Sequence, residues 1–93
     1  MVVGVLQMRL LIREATSLKD KRRVVKSLRE RIRNEFNVSA SEIDALDRRQ
    51  SAVLGVAIVT NEARFADQVM AKVVDLVRRT RGAELIEYET EVL

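Results

Sequence analysis

Residues 2–36 read VVGVLQMRLLIREATSLKDKRRVVKSLRERIRNEF, and the period of their apolar positions changes once along the way. From Val2 to Ile12 the period is two: Gly4, Leu6, Met8, Leu10 and Ile12 share one parity, and Val3, Val5, Gln7, Arg9 and Leu11 share the other. That alternation predicts a β-strand with one strongly apolar face. Ser17 followed three residues later by Asp20 is a helix start of the capping-box kind, and Val25, Leu28, Ile32 and Phe36 then recur at i, i+3, i+7 and i+11. The pattern predicts a helix from Leu18 to Phe36.

Working outward, Val38 to Asp47 and Ser51 to Thr60 return to β-type sequence, with DRRQ between them as a short hairpin connection. In the second of these runs Ala52, Leu54, Val56 and Ile58 form the bulkier face, and Val53, Gly55, Ala57 and Val59 the slimmer one. Asn61 precedes a second helical pattern with Ala66, Val69, Val73, Leu76 and Val77 on one side. Gly82 ends it, with Arg78, Arg79 and Arg81 near the terminal carbonyls, where cations are favourable. The closing AELIEYETEVL alternates again, placing Ile86, Tyr88 and Val92 against Glu87, Glu89 and Glu91. The order β-α-β-β-α-β predicts an α+β, ferredoxin-like domain over residues 1–93, a four-stranded antiparallel sheet with two helices on one face.

A chain of 93 residues supports one modest core and leaves little material for a deep cleft. It has no cysteine and no histidine, which excludes thiol nucleophiles, disulfides, zinc sites built on those residues, and imidazole acid–base chemistry. Gln7, Arg9 and Arg13 interrupt the apolar N-terminus well short of the roughly 18 residues of a membrane span, and the stretch has neither the basic n-region nor the small-residue cleavage site of a signal peptide. A cytoplasmic protein with no membrane partner is expected. Among candidate catalytic groups, Ser39, Ser41, Glu42, Asp44 and Asp47 form neither a serine–base pair nor a fixed carboxylate pair. No phosphate-binding glycine loop or dinucleotide fingerprint occurs. The expectation is a non-enzymatic protein with no cofactor and no metal site.

The net charge of +3 hides a segregation. Residues 19–35 carry eight Lys and Arg against Asp20, Glu30 and Glu35, whereas residues 84–93 carry four Glu and no base. At about 100° per residue, Arg22, Lys26, Arg29 and Arg33 fall within one narrow stripe beside the apolar face, flanked by Lys19 and Arg23. Long basic side chains often lie over apolar surface with their heads in water. Here, however, Lys19, Lys21, Arg22 and Arg23 occupy the first turns, where the helix dipole disfavours cations. A bound anion would compensate them. Ser17, Lys19, Lys21 and Arg22, with Arg23 beside them, are therefore the expected phosphate-binding end, and Lys26, Arg29 and Arg33 its continuation.

Phe36, Phe65 and Tyr88 are the only aromatics, so the open sheet face lacks the stacking platform of an RNA-recognition motif. That face is expected to carry Val3, Val5, Leu11, Val53, Ala57 and Val59, with the three glutamates of the last strand beside them. Its aliphatic centre points to a second copy packed sheet to sheet.

The run SLKDKRRVVKSLRERIRNEFNVSASEID from Ser17 to Asp44, followed by LGVAIV at Leu54 to Val59, resembles the YlxP-like family of small bacterial proteins, a domain of unknown function. The resemblance covers nearly the whole chain, and Ser17 to Arg22 with Phe36 to Ser39 is its specific part. It implies a ferredoxin-like fold. Because members' genes often adjoin those for translation initiation and ribosome maturation, it also implies a role near RNA or the ribosome. Members commonly have an aromatic residue after the Asp at position 47, where this chain has Arg48 and Arg49. Two expectations remain: an RNA- or ribosome-associated protein using the first helix, or a homodimeric module whose basic helix docks an acidic protein.

Overall fold

The computed structural model describes every residue from Met1 to Leu93. Its elements are β1 (Val2–Leu11), α1 (Leu18–Glu35), β2 (Ser39–Asp44), β3 (Ser51–Thr60), α2 (Ala63–Arg78) and β4 (Glu84–Val92). The strands form one antiparallel sheet in the order β2-β3-β1-β4, so β2 and β4 are its edges. Register explains why one face is the core: Gly4 pairs with Ile58, Leu6 with Val56, Met8 with Leu54 and Leu10 with Ala52. The bulkier parities of β1 and β3 thus coincide, and the helices bury them, α1 over β2 and α2 across β1, β3 and β4. At Gly4 the approach is close. A Cβ there would lie 3.0 Å from Ile58 Cγ2 and 3.1 Å from Ala66 Cβ, so the missing side chain is what seats the start of α2 on the sheet. No helix is long and apolar enough to cross a membrane.

Helix α1 starts as its sequence predicts. Ser17 is extended, and its Oγ accepts the Asp20 backbone N–H at 3.1 Å. The Asp20 carboxylate accepts the Thr16 hydroxyl at 2.6 Å and the Thr16 N–H at 3.1 Å. Helix α2 has no side-chain cap at Glu62 and ends at Arg78, short of Gly82. With φ of 88° that glycine makes the turn into β4 rather than the last turn of the helix.

Both edge strands depart from simple alternation. β2 stops at Asp44 instead of Asp47, because its register shifts between Glu42 and Asp44 and Ala45 then turns left-handed at φ 60°. That conformation costs a non-glycine residue roughly 1–2 kcal/mol, so something must hold it. In β4 the register shifts opposite Arg9 and Leu10, which puts Leu85 across from Leu10 and against the core. Ile86, expected on the core side, is half exposed as a result.

What holds Ala45 is Lys21, whose side chain is completely buried. Its ammonium donates to Glu42 Oε2 at 2.8 Å and to the carbonyls of Ala45 at 2.9 Å, Leu46 at 3.2 Å and Ser51 at 3.2 Å. One ammonium has three N–H donors, so the four acceptors share them. Glu42 is nearly as enclosed, with its side chain 11% exposed. A buried cation with this many partners is satisfied; the same partners without it are not. Lys21→Met is expected to lower the unfolding free energy by about 3–5 kcal/mol, the cost of orphaning a buried partner. Lys19→Met, on the exposed side, should change it by less than about 0.5 kcal/mol; denaturant titration of the two variants checks both values.

Candidate nucleic-acid interface

The structure separates the residues expected to contact phosphate into two groups. Lys19, Arg22, Arg23, Lys26 and Arg33 are exposed, and Arg29 is half-buried beside them. Lys21 is not on this surface: it points into the core, where Glu42 and three carbonyls use its donors, and the expectation that it binds phosphate is corrected accordingly. Ser17 Oγ serves its own helix as the cap. The start of α1 also already carries an anion, the Asp20 carboxylate. Hydrogen bonds from the Thr16 hydroxyl and then the Thr16 N–H hold that carboxylate below its ordinary pKa, with smaller help from Ser17 and the charge of Arg23. The charge imbalance inferred for the first turn is thus met partly from within, by Asp20 and by Glu42. The phosphate-binding end is not built as expected, and the cationic track along the helix is what remains.

No ion pair neutralises that track. The molecule's ion pairs are Arg9–Glu87, Arg13–Glu84, Lys21–Glu42 and Arg79–Asp75; none involves Lys19, Arg22, Arg23, Lys26, Arg29 or Arg33. Glu30 follows Lys26 by four residues, yet this pair does not close, and base before acid is the weaker order on a helix. Like charges, by contrast, are stacked at helical spacing: Lys19 with Arg22 and Arg23, Lys26 with Arg22, Arg23 and Arg29, and Arg29 with Arg33. Such neighbours oppose the helix by about 0.2–0.5 kcal/mol each. The Arg29 Nε is buried with no hydrogen-bond partner.

The stripe lies on the flank of α1 turned away from α2. Val24 lies against Gly82, and the Arg31 guanidinium donates to Thr80 Oγ1 at 3.2 Å, so those residues define the opposite flank. The basic flank therefore runs along the β2 edge of the sheet.

The opposite edge is negative. Across the β1–β4 ladder Arg9, Gln7 and Val5 face Glu87, Glu89 and Glu91 on the open side of the sheet, and Arg9 closes an ion pair with Glu87 at 3.1 Å. The residues expected at a dimer interface share this open side. Val3 pairs with Val59 and Val5 with Ala57; Val3, Val5, Leu11 and Ala57 are half-buried, Val53 is buried, and Val59 is 66% exposed. No aromatic residue is on this face. Tyr88, opposite Met8, is on the helix side, with the Arg78 guanidinium 5.5 Å from its ring centroid. It lines a shallow cleft of about 350 Å³ between α2 and β4 with Asp67, Met70, Val74 and Asp75. Asp75 is engaged by Arg79 at 3.2 Å, and no three acidic side chains anywhere converge as metal ligands would. Arg13 pairs with Glu84 at 2.8 Å, and that hydrogen bond and charge raise the pKa of its guanidinium.

The family model described as a protein of unknown function (DUF503) matches residues 3–90. The uncharacterized protein YlxP of Bacillus subtilis (strain 168) is 33% identical over 76 residues, covering 82% of this chain and 83% of that one. Two de novo designed proteins are similar in structure. One, designed with a ferredoxin fold and solved by solution NMR, matches with a TM-score of 0.58 at 12% identity, over 99% of this chain and 85% of that one. The other, Foldit4, matches at 0.56 and 14% identity, over 100% and 97%. At such identities the likeness concerns the fold alone.

The Asp20 cap has a pH signature. Its folded-state pKa is lowered, so its contribution to stability is complete above the ordinary carboxylate range and is lost as pH falls through the folded value. Below about pH 4 the wild type should lose stability faster than Asp20→Asn. Thermal midpoints across that range check it, and parallel curves for the two proteins would contradict it.

Proposed function

The chain belongs to the DUF503 family, and we propose that it is a small, non-enzymatic binding protein that holds RNA, alone or within the ribosome, by its phosphates along the basic flank of α1. One observation carries this reading: six cations line one side of a helix without an ion pair among them. From Lys19 to Arg33 the track is about 21 Å long at 1.5 Å per residue, suited to several successive phosphates. An acidic protein is the less suitable partner. Stable protein interfaces centre on buried apolar or aromatic anchors, and the stripe presents only charged heads. Contacts of this kind position a backbone without reading bases, so discrimination comes from RNA shape. The glutamate row faces the other way, and RNA approaching the β2 side avoids it.

The test is a titration of labelled ribosomal RNA fragments across salt concentrations, with the wild type and a variant in which Arg22, Lys26, Arg29 and Arg33 are changed to Gln. Each lost phosphate contact should reduce the slope of log K against log salt by about 0.7, and the variant should lose about three contacts. Equal binding by both proteins overturns the reading. So does stripe-dependent binding of polyglutamate with no binding of RNA, which would favour an acidic protein.

A second reading concerns self-association, and the exposed Val59 beside Val3 favours it. Two copies packed on their open faces bury this aliphatic strip. Charge selects one arrangement: a two-fold axis along the strands lays the Glu87, Glu89 and Glu91 row over the partner copy's β2 column, where Ser39 and Ser41 share the open side. The alternative two-fold stacks the two glutamate rows on each other. Sedimentation at tens of micromolar should show a dimer that Val59→Lys disrupts; a wild-type monomer at that concentration contradicts it.

A further inference from the structure

The β2–β3 connection is fixed more firmly than a six-residue surface loop requires. Lys21 grips its two ends, donating to Ala45 and Leu46 where it begins and to Ser51 where it finishes. Asp44 Oδ1 accepts the Ala45 N–H at 2.7 Å, and the Ala45 carbonyl also accepts the Arg48 N–H at 3.0 Å. On the far side Gln50 closes onto the β1–α1 connection: its carbonyl accepts the Ile12 N–H at 2.8 Å, and its side-chain amide donates to the Arg13 carbonyl at 2.7 Å. Between these fastenings Asp47, Arg48 and Arg49 are left exposed at the tip, and neither arginine has an ion pair.

The position of this tip follows from topology. β1 and β2 both run opposite to β3, so the β1–α1 and β2–β3 connections emerge at the same end of the sheet. β2 is also the edge strand along which the basic flank of α1 runs. The loop therefore stands at the N-terminal end of that flank, and Lys21 joins the two directly, since it is the residue between Asp20 and Arg22 on α1 and its ammonium is bonded to the loop.

We propose that Arg48 and Arg49 are a second phosphate-contacting element, held by the Lys21 clasp so that the RNA surface turns from the helix flank onto the loop tip. The proposal rests on the α1 reading and extends it. A buried ion pair is weak evidence for stability as such, because apolar residues of similar size often serve as well. What an apolar residue cannot do is collect the carbonyls from both ends of one loop. Fixing the tip before binding removes the ordering cost that a mobile arginine pair imposes on a complex. Charge complementarity names the occupant: two unpaired guanidiniums continue a cationic track suited to a polyanion, and guanidinium is the group best shaped for bidentate phosphate contacts.

The experiment uses the same ribosomal RNA fragments and four proteins: the wild type, the α1 stripe variant described above, an Arg48→Gln, Arg49→Gln loop variant, and an Arg64→Gln, Lys72→Gln variant that removes the same charge from exposed positions on α2. The four positions changed in the loop and α2 variants are exposed, so thermal midpoints should coincide with the wild type and confirm intact structure. The loop variant is expected to lower the salt slope by about 1.4, two contacts at about 0.7 each, with the α2 variant unchanged. Equal losses in both variants would show a net-charge effect and overturn the proposal. An unchanged loop variant alongside a weakened α1 stripe variant would overturn it while leaving the α1 reading intact. A wild type that does not bind RNA would end both readings.

Discussion

One buried ammonium organises this molecule. Lys21 belongs to α1, and its acceptors belong to β2, to the β2–β3 connection and to the first residue of β3. Burial of an unpaired lysine would be prohibitive; burial among a carboxylate and three carbonyls makes the cation a junction. The rotation of α1 about its own axis follows. With Lys21 turned inward beside Val25, Leu28 and Ile32, Arg22, Lys26 and Arg33 are turned outward, along the β2 edge. The left-handed Ala45 and the early end of β2 follow as well, because both bring carbonyls to the same point.

Much of this was legible in the sequence. The switch of period between Ile12 and Val25 predicts the first strand and helix, and two such halves in succession predict the four-stranded antiparallel sheet in which β1 and β3 pair. Lys21 itself had a readable signal. It stands four, seven and eleven residues before Val25, Leu28 and Ile32, on the arc the helix buries. Its charge argued for the surface more strongly than its position argued for the core, because the acceptors that reverse that argument come from residues 21 to 30 positions away. The shift in β4 was hidden for a related reason: strict alternation assigns Ile86 to the core, and only pairing with β1 shows that Leu85 takes the place. The basic surface is legible as composition, but which cations are free of ion pairs depends on partners that only the fold brings together.

The charge distribution becomes intelligible once the strands are ordered. Residues 19–35 and 84–93 carry opposite charge in sequence, and the topology carries them to opposite sides of the sheet, α1 over the β2 edge and the glutamates on β4. A net charge of +3 thus understates the field near either side. Charge separated in this way orients a polyanion before contact, an effect on encounter as much as on affinity. Between the two charged sides lies the aliphatic strip of the open face.

The sheet has two free edges, and they are kept from pairing with other chains by unlike means. β2 is short and its ladder is broken by the shift after Glu42, so its shape is a poor template for another strand. β4 is longer, and its protection is the alternating glutamate row. A guard made of shape is indifferent to salt; a guard made of charge weakens as salt shortens the reach of its repulsion, to about 3 Å at 1 M ionic strength. Solvent therefore acts on the two edges unequally: concentrated salt leaves the broken ladder of β2 as it was and screens the glutamates of β4, so cross-β growth, the route by which a small open sheet becomes a fibril, would start from β4.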